Sequence, residues 1–418
     1  MNLGLRCIQI PFNHVFIFSR YNLEHGHVDS DETCRAPLIG DRRRLQRGAP
    51  TEGRPYRCSS NYAPDEIRPT RSFQQKSDTM TSIISILVSF FSFALMFQSP
   101  THYKVEGRYA IPGEGGFDYV TLDTSARRLY VSHATQVDVL DADSGKVVGT
   151  IPDTPGVHGV AIASAFRHGF TSNGRENKVS MFDPSTLRLI KKIDVGKGPD
   201  GIYYDPASKR VFTNNHGSHD ISAIDAATGE VVGTVKMGGD GEQAIIGADG
   251  LIYVNSEDTA EVVVFDPRSL DIKKRFPIGV AKVPTGLAYD AKTRRLFIGC
   301  RNEPKMVVMD AVSGKVINTF PIGAGVDYAG FDPTASLIFF SCGDGTLSIY
   351  REKAADSYED AGAVKTQPSA KTMAFDTKTK KIFLPAAEYL ETPASEPGRR
   401  PQRTLKPGSF VVLVVGKS

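Results

Sequence analysis

A repeat of about 42 residues limits what this chain can fold into more than any other feature of its sequence. Each cycle reads as an apolar strand, an Asp-centred turn, a second strand ending in small polar residues, a third strand, and a turn of the form Asp-x-x-Ser/Thr-Gly/Leu. The aspartate of the last turn recurs at spacings of 42, 42, 41 and 44 residues, at Asp141, Asp183, Asp225, Asp266 and Asp310. A period of this length, built from short strands, is typical of the blades of a β-propeller.

The second strand of the cycle shows how many blades to expect. Seven copies of it occur, at residues 129–133 (LYVSH), 169–173 (GFTSN), 211–215 (VFTNN), 252–256 (IYVNS), 296–300 (LFIGC), 338–342 (IFFSC) and 382–386 (IFLPA). The 39 Gly and 25 Pro suit a fold with many turns. The sequence therefore predicts an all-β fold, a seven-bladed β-propeller over residues 103–418.

Both ends of this region carry strand-like segments that lack a partner within their own cycle. Residues 103–111 (YKVEGRYAI) resemble an outermost strand, and residues 409–415 (SFVVLVV) resemble a third strand with nothing after it. Unpaired strand edges are a liability, and a propeller has to close. We therefore expect the N-terminal strand to close the last blade by pairing with the C-terminal strand.

The second-strand segments at 252–256 (IYVNS) and 211–215 (VFTNN) resemble the YVTN repeats of the YncE-like seven-bladed propellers. The resemblance covers residues 103–418, and its sevenfold repetition implies the propeller fold. It implies less about function, since such propellers are mostly exported proteins without an assigned role. Some are credited with DNA binding and some are grouped with surface-layer proteins. The absence of Trp separates this chain from WD40 propellers.

The first 100 residues differ from the repeat region. Residues 83–97 (IISILVSFFSFALMF) carry no charge, which fits the apolar core of a signal peptide and is short for a membrane span. We interpret residues 80–98 as a signal peptide, or alternatively as a retained N-terminal anchor, and expect a periplasmic or secreted protein. Residues 1–79 show no hydrophobic period, so we interpret them as disordered or as a gene-model extension before a start at Met80.

Charge and cysteine content exclude several classes of protein. Residues 1–100 hold 12 of the 50 Lys and Arg and 9 of the 47 Asp and Glu, which leaves 38 of each for the remainder. A neutral domain lacks the basic face that supplies most non-specific affinity for nucleic acid. Nucleic acid is therefore a disfavoured partner. Cys300 and Cys342 are one repeat apart, too far for a disulfide between equivalent strands, and are expected to be reduced.

One position of the repeat carries an unusual set of side chains. In a propeller, the start of the innermost strand and the end of the second strand lie at the same mouth of the central channel. Five residues before the turn that ends each innermost strand, the seven cycles carry Asp118, His158, Asp200, Glu242, Thr285, Asp327 and Lys371. The ends of the second strands add His133 and His216, among others, to this predicted mouth.

Carboxylates that converge on one axis repel each other unless a cation, a basic ligand group, proton uptake or hydration offsets the cost. Oxygen donors with one histidine suit a divalent cation, and Asp118, His158, Asp200 and Glu242 are the candidate metal ligands. Ligand binding at the same mouth would also involve Asp327, Lys371, His133 and His216. The alternative is a polar channel whose charges are simply hydrated.

The sequence contains no Gly-x-Ser-x-Gly, His-Glu-x-x-His, phosphate loop or Cys-x-x-Cys motif. We therefore expect an exported, monomeric binding module for a small molecule, an ion or an extracellular protein, rather than an enzyme. The alternative is a metal-assisted lyase or hydrolase that uses the His and Glu of the mouth. Membrane contact is expected only through the N-terminal apolar segment.

Residues 387–408 (AEYLETPASEPGRRPQRTLKPG) lengthen the connection after the second strand of the seventh cycle. Proline at 393, 397, 401 and 407 predicts a segment without regular structure. It should leave from the face that carries the acidic mouth. Its arginines and lysine suggest a basic flap over that opening, the alternative being a solvated insertion.

Overall fold

Four-stranded antiparallel sheets repeat seven times in the part of the chain that the computed structural model describes, residues 102–392 and 402–417. Within these residues the one helical element is a 3-10 turn at Ser164–Phe166. None of the helical structure there has the length and apolarity to cross a membrane. The predicted seven-bladed β-propeller is confirmed.

The first six blades each use four consecutive strands, which run in order from the channel outwards. Blade one contains β2 (Val120–Asp123), β3 (Arg128–His133), β4 (Gln136–Asp141) and β5 (Val147–Ile151). Blade two contains β6 (Val157–Ala163), β7 (His168–Asn173), β8 (Lys178–Phe182) and β9 (Leu189–Asp194). Blade three contains β10 (Pro199–Asp205), β11 (Arg210–Asn215), β12 (Asp220–Asp225) and β13 (Val231–Val235).

The next three blades repeat this order. Blade four contains β14 (Gly241–Ile246), β15 (Ile252–Ser256), β16 (Glu261–Phe265) and β17 (Ile272–Pro277). Blade five contains β18 (Pro284–Asp290), β19 (Arg295–Cys300), β20 (Lys305–Asp310) and β21 (Val316–Pro321). Blade six contains β22 (Val326–Asp332), β23 (Leu337–Cys342) and two strands of nine residues, β24 (Thr346–Ala354) and β25 (Ser357–Lys365).

Blade seven combines strands from both ends of the repeat region. From the channel outwards it contains β26 (Ala374–Phe375), β27 (Ile382–Ala386), β30 (Val411–Lys417) and β1 (Tyr103–Ala110). β1 and β30 run antiparallel, from Tyr103 opposite Lys417 to Ala110 opposite Val411, with one bulge after Val105. The outermost strand of this blade therefore precedes blade one in the chain.

The connection after β27 contains a separate two-stranded hairpin, β28 (Tyr389–Thr392) paired with β29 (Gln402–Leu405). The prediction that this segment lacks regular structure is wrong for these two stretches. The prolines at 393, 397, 401 and 407 all fall outside them, so each strand keeps the backbone N–H groups that its ladder needs.

The core lies between neighbouring blades. The middle strands are buried on both faces, and their alternating side chains pack against the blade on either side. Between blades four and five, for example, Tyr253 and Val264 pack in one cluster with Leu296 and Ile298. Cys300 and Cys342 are free thiols in such clusters, and burial raises the pKa of each to about 12.

The recurrent aspartates make the turns that the sequence suggested. Asp141 Oδ1 accepts hydrogen bonds from the backbone N–H of Ser144 (2.8 Å) and from its hydroxyl (2.7 Å). Gly145 follows with φ +73°, a conformation that side chains with a Cβ rarely adopt. Asp310 and Ser313 repeat the same two bonds, so this aspartate position is structural.

Candidate ligand site at the channel mouth

The seven predicted mouth positions fall at equivalent points of the innermost strands. Each is the second residue of its strand in blades two to six, whereas Asp118 and Lys371 lie two and three residues before the innermost strands of blades one and seven. In blades two to six the pairing with the second strand shifts register across this position. A β-bulge re-aims the side chain it contains, and bulges recur beside functional sites. The repeated irregularity therefore places these side chains together at one end of the channel.

Three of the four predicted metal ligands lie in contact. His158 Nδ1 is 2.8 Å from Asp118 Oδ2 and 3.6 Å from Asp200 Oδ2. One donor atom from each of Asp118, His158 and Asp200 lies within 4.8 Å of the others. We call these three residues the acidic cluster. Glu242, the fourth predicted ligand, is not part of this group.

His216, another of the predicted mouth residues, adjoins the acidic cluster. Its Nδ1 is 3.7 Å from Asp200 Oδ2, and its Nε2 lies 2.8 Å from the carbonyl oxygen of Gly241. The second contact ties His216 to blade four. This histidine therefore has a fixed position beside the Asp200 carboxylate.

Cations of the protein itself neutralise the other side of the mouth. Lys371 Nζ is 2.5 Å from Asp327 Oδ2 and 3.5 Å from Asp118 Oδ1. Arg301 also contacts Asp327 and lies 3.2 Å from Glu257 Oε1. Asp327 is 3% exposed, whereas Lys371 and Arg301 are 40% and 36% exposed. The repulsion expected between all the carboxylates is thus reduced locally, because one buried carboxylate is held between two cations.

The pKa values differ across the mouth. Burial raises the pKa of Asp200, and the charge of Asp118 adds to that effect. Burial also raises the pKa of Glu242 well above its ordinary value, with a hydrogen bond from the protonated Glu242 to Glu257 and the charges of Asp200 and Asp327 contributing. Glu242 is therefore protonated well above the pH at which an exposed glutamate ionises.

Two members of the acidic cluster, Asp118 and His158, stabilise each other in their charged forms. Burial alone would raise the pKa of Asp118, but its hydrogen bond with His158 and the charge of Lys371 lower it. Burial alone would lower the pKa of His158, but its hydrogen bond with Asp118 and the charge of Asp200 raise it. In the cation-free protein, Asp118 and His158 therefore form an ion pair over a wider pH range than free side chains would.

In three blades, a buried polar residue of the second strand anchors the mouth residue of the next blade. The Ser172 hydroxyl donates to the carbonyl of Asp200, and Asn214 Nδ2 donates to that of Glu242 at 2.6 Å. Ser341 anchors Lys371 in the same way at 2.6 Å. The sequence showed these small polar residues at the ends of second strands but not their role. Their recurrence near one position of the repeat is the sequence feature from which this anchoring role could have been predicted.

His133 does not lie with the other predicted mouth residues. It is 2% exposed, its Nδ1 is 2.7 Å from Asp138 Oδ2, and its ring packs edge-on against Phe410. Side chains alternate across a strand, and the end of β3 turns this one towards Phe410. His133 is thus a buried residue at the junction of blades one and seven.

A pocket of about 900 Å³ opens between the mouth and the β28–β29 hairpin. It lies within the size range of small-molecule sites. Its polar side chains include Arg301, Lys371, Tyr389 and Arg403. Below the mouth, a smaller cavity of about 70 Å³ is lined by Tyr119, Tyr203, Tyr328 and Glu242, among others.

Comparison with known proteins shows which folds this chain is similar to. The model of the YNCE-like beta-propeller family matches residues 154–350. No curated protein matches the chain significantly. Among solved structures, hydrazine synthase of Kuenenia stuttgartiensis is similar at 17% identity and a TM-score of 0.57, over 67% of this chain and 95% of that one. A chain of a mitotic checkpoint complex is similar at 15% identity and a TM-score of 0.59, over 67% and 88%. At such identities the likeness concerns the fold alone.

Proposed function

We propose that this chain, a seven-bladed β-propeller of the YNCE-like family, is an exported binding protein that holds a divalent cation at the acidic cluster of its channel mouth. The observation that carries the proposal is the convergence of Asp118, His158 and Asp200, whose donor atoms lie within 4.8 Å of one another. A further point is that Asp200 Oδ1 is buried without a hydrogen-bond partner among the described residues. A bound cation would coordinate this oxygen atom instead.

The spacing of the donor atoms suits one ion. Ligand atoms at about 2.1 Å from a common metal lie roughly 3.0 to 3.5 Å apart in tetrahedral or octahedral arrangement. The separations of 2.8 Å and 3.6 Å from His158 Nδ1 to the two carboxylates bracket that range. Two carboxylates and an imidazole suit Mn²⁺ or Zn²⁺ more than Ca²⁺, which takes oxygen ligands.

Charge also favours a cation at this end of the acidic cluster. Lys371 Nζ lies 3.5 Å from Asp118, whereas the nearest basic groups to Asp200 among the described residues are His158 and His216, at 3.6 and 3.7 Å. Burial raises the pKa of Asp200 even though the charges of His158 and His216 oppose that effect. A bound cation would favour the charged form of Asp200 and reverse that shift.

Export is the second half of the proposal. It rests on the uncharged run at residues 83–97, which lies outside the described residues. Mass spectrometry of the protein from the periplasm or medium should find an N-terminal peptide beginning after Ala94 and none from residues 1–75. Recovery of the chain only from the cytoplasm would contradict export.

Thermal unfolding in a divalent-ion series tests the cation site. Mn²⁺ or Zn²⁺ added to chelator-treated protein should raise Tm, because an ion at a hundred times its Kd stabilises the native state by about 2.7 kcal/mol. Asp200→Asn should abolish this increase. The matched control is Asp271→Asn, which changes an exposed aspartate on the outer edge of blade four and should respond like wild type.

Two results would contradict the cation site. One is a Tm that no divalent ion changes, which would leave a hydrated channel as the better description of the mouth. The other is an unchanged ion response in Asp200→Asn, which would place any bound ion elsewhere.

A further inference from the structure

The pocket under the β28–β29 hairpin adjoins the acidic cluster, and three cations line it, Arg301, Lys371 and Arg403, together with the exposed carboxylates of Glu388 and Glu391. It is the larger of the two cavities described above, at about 900 Å³. Lys371 belongs to both sites, since it lines the pocket and its Nζ lies 3.5 Å from Asp118 Oδ1. A ligand in the pocket could therefore reach the cation position of the cluster.

Lys371 and Arg301 are partly exposed, whereas the carboxylate that they share is buried. Asp327 is 3% exposed and forms ion pairs with both Lys371 and Arg301. Such pairing fixes the two long side chains, so that less side-chain freedom is lost when a ligand binds. The wall of the pocket thus carries ordered positive groups over a buried negative one.

Donor capacity remains on both side chains. Of the five N–H groups of Arg301, three are used among the described residues, towards the Val326 carbonyl, Glu257 and Asp327. Lys371 uses two of its three, towards Asp327 and Asp118. Two N–H groups of Arg301 and one of Lys371 are left for a ligand.

The hairpin adds a third cation and a phenol on the opposite wall. Arg403 lines the pocket, is 69% exposed, and is oriented by Glu391 through bonds of 2.9 Å and 2.6 Å. Tyr389 lines the pocket beside it, and burial raises the pKa of its phenol, which keeps its O–H as a donor. Donors therefore face the cavity from both the ring and the hairpin.

We infer that this pocket binds a small organic anion, whose carboxylate or phosphate group lies against Arg301 and Lys371 and whose remainder extends under Tyr389 and Arg403. The inference builds on the proposed cation site, because an anion so placed can also supply a ligand to a cation at the acidic cluster. Cation and anion would then occupy the mouth together.

Isothermal titration of the full chain with malonate and with inorganic phosphate tests this, each with chelator and with Mn²⁺. At least one probe should bind. Arg301→Gln and Arg403→Gln should each weaken that binding about tenfold or more, as expected for the loss of a charge-assisted hydrogen bond. Arg403→Gln leaves Asp327 with both of its partners, so it keeps the test valid if Arg301→Gln folds poorly. Lys353→Gln, on the blade-six hairpin, is the matched control and should bind like wild type.

The outcomes separate the two proposals. A preference for malonate or for phosphate identifies the anionic group, and either one supports the pocket. Binding that persists with chelator while Mn²⁺ leaves Tm unchanged supports the anion pocket and contradicts the cation site. Absence of binding by both probes at millimolar concentration, or binding that neither variant weakens, overturns the inference.

Discussion

Individual residues at the mouth differ in charge state although they occupy equivalent positions. His158 and Lys371 lower the pKa of Asp118, while burial and its contact with Glu257 raise the pKa of Glu242. Tyr119 contributes to the latter environment, since its hydroxyl lies 3.4 Å from Glu242 Oε2. The same repeat position therefore favours the ionised carboxylate in one blade and the protonated carboxylic acid in another.

Glu242→Gln should be neutral at low pH and stabilising at higher pH. A carboxyl whose folded-state pKa is raised binds more protons when folded than when unfolded, so stability falls as pH rises above the ordinary value of 4.5. The amide cannot ionise and escapes this loss. Urea unfolding near pH 4 and pH 8 should show equal stability at the first and a more stable variant at the second. A wild-type advantage at pH 8 would mean that Glu242 is needed as a carboxylate.

The cation response should depend on pH through His158. Its raised pKa means that a proton competes with the metal up to a higher pH than for a free histidine. In the absence of metal, the same raised pKa contributes stability that is present below about pH 6.5 and is lost as pH rises through the folded-state value. We expect Mn²⁺ to raise Tm at pH 8 and to have little effect at pH 5.5. An ion effect of equal size at both values would exclude His158 as a ligand.

At the level of elements, the innermost strands depend on their neighbours for the direction of their mouth residues. The second strand of blade two holds the start of blade three, because the Ser172 hydroxyl donates to the Asp200 carbonyl and accepts from the Gly159 N–H at 3.0 Å. Loss of this hydroxyl would leave two buried backbone groups without a partner.

Ser172→Ala should therefore lower the free energy of unfolding by about 1 to 3 kcal/mol, the cost of leaving a buried polar group unsatisfied. It should also weaken the divalent-ion effect on Tm, since Asp200 is then less firmly placed. Urea unfolding with and without Mn²⁺ measures both changes. Ser357→Ala, an exposed position at the start of β25, is the control and should change neither. An unaltered ion response in a destabilised Ser172→Ala would confine this serine to a structural role.

For the whole molecule, the outer edge of blade seven is formed by residues from the start of the repeat region. β1 pairs with β30 over seven residue pairs, and Tyr103 packs in a cluster with Phe339 and Leu413, which belong to blades six and seven. β1 therefore contributes both hydrogen bonds and buried apolar surface where the ring ends meet.

Deletion of residues 103–112 should destabilise the entire propeller, because blade seven would lose its outer strand and blades six and seven part of their shared core. Urea unfolding should show a lower midpoint or two transitions instead of one. As a control, replacing residues 393–401 with Asn-Gly joins Thr392 to Gln402 by a two-residue turn and should leave the transition unchanged. Equal stability of wild type and the deletion variant would show that β1 is dispensable for closure.

The repeat alone determined the number of blades, the turn aspartates and the seven mouth positions, because each is a periodic feature that recurs about every 42 residues. Which mouth residues pair was decided only by the tertiary structure. Lys371 meets Asp118 across 253 residues of chain, and β-bulges that leave no clear trace in the sequence aim the side chains of blades two to six. For the same reason, the sequence placed His133 at the end of a strand but did not show which face of the sheet its side chain lies on. Periodicity specifies where a residue lies in its blade, whereas its contacts and pKa depend on the blades that the closed ring brings beside it.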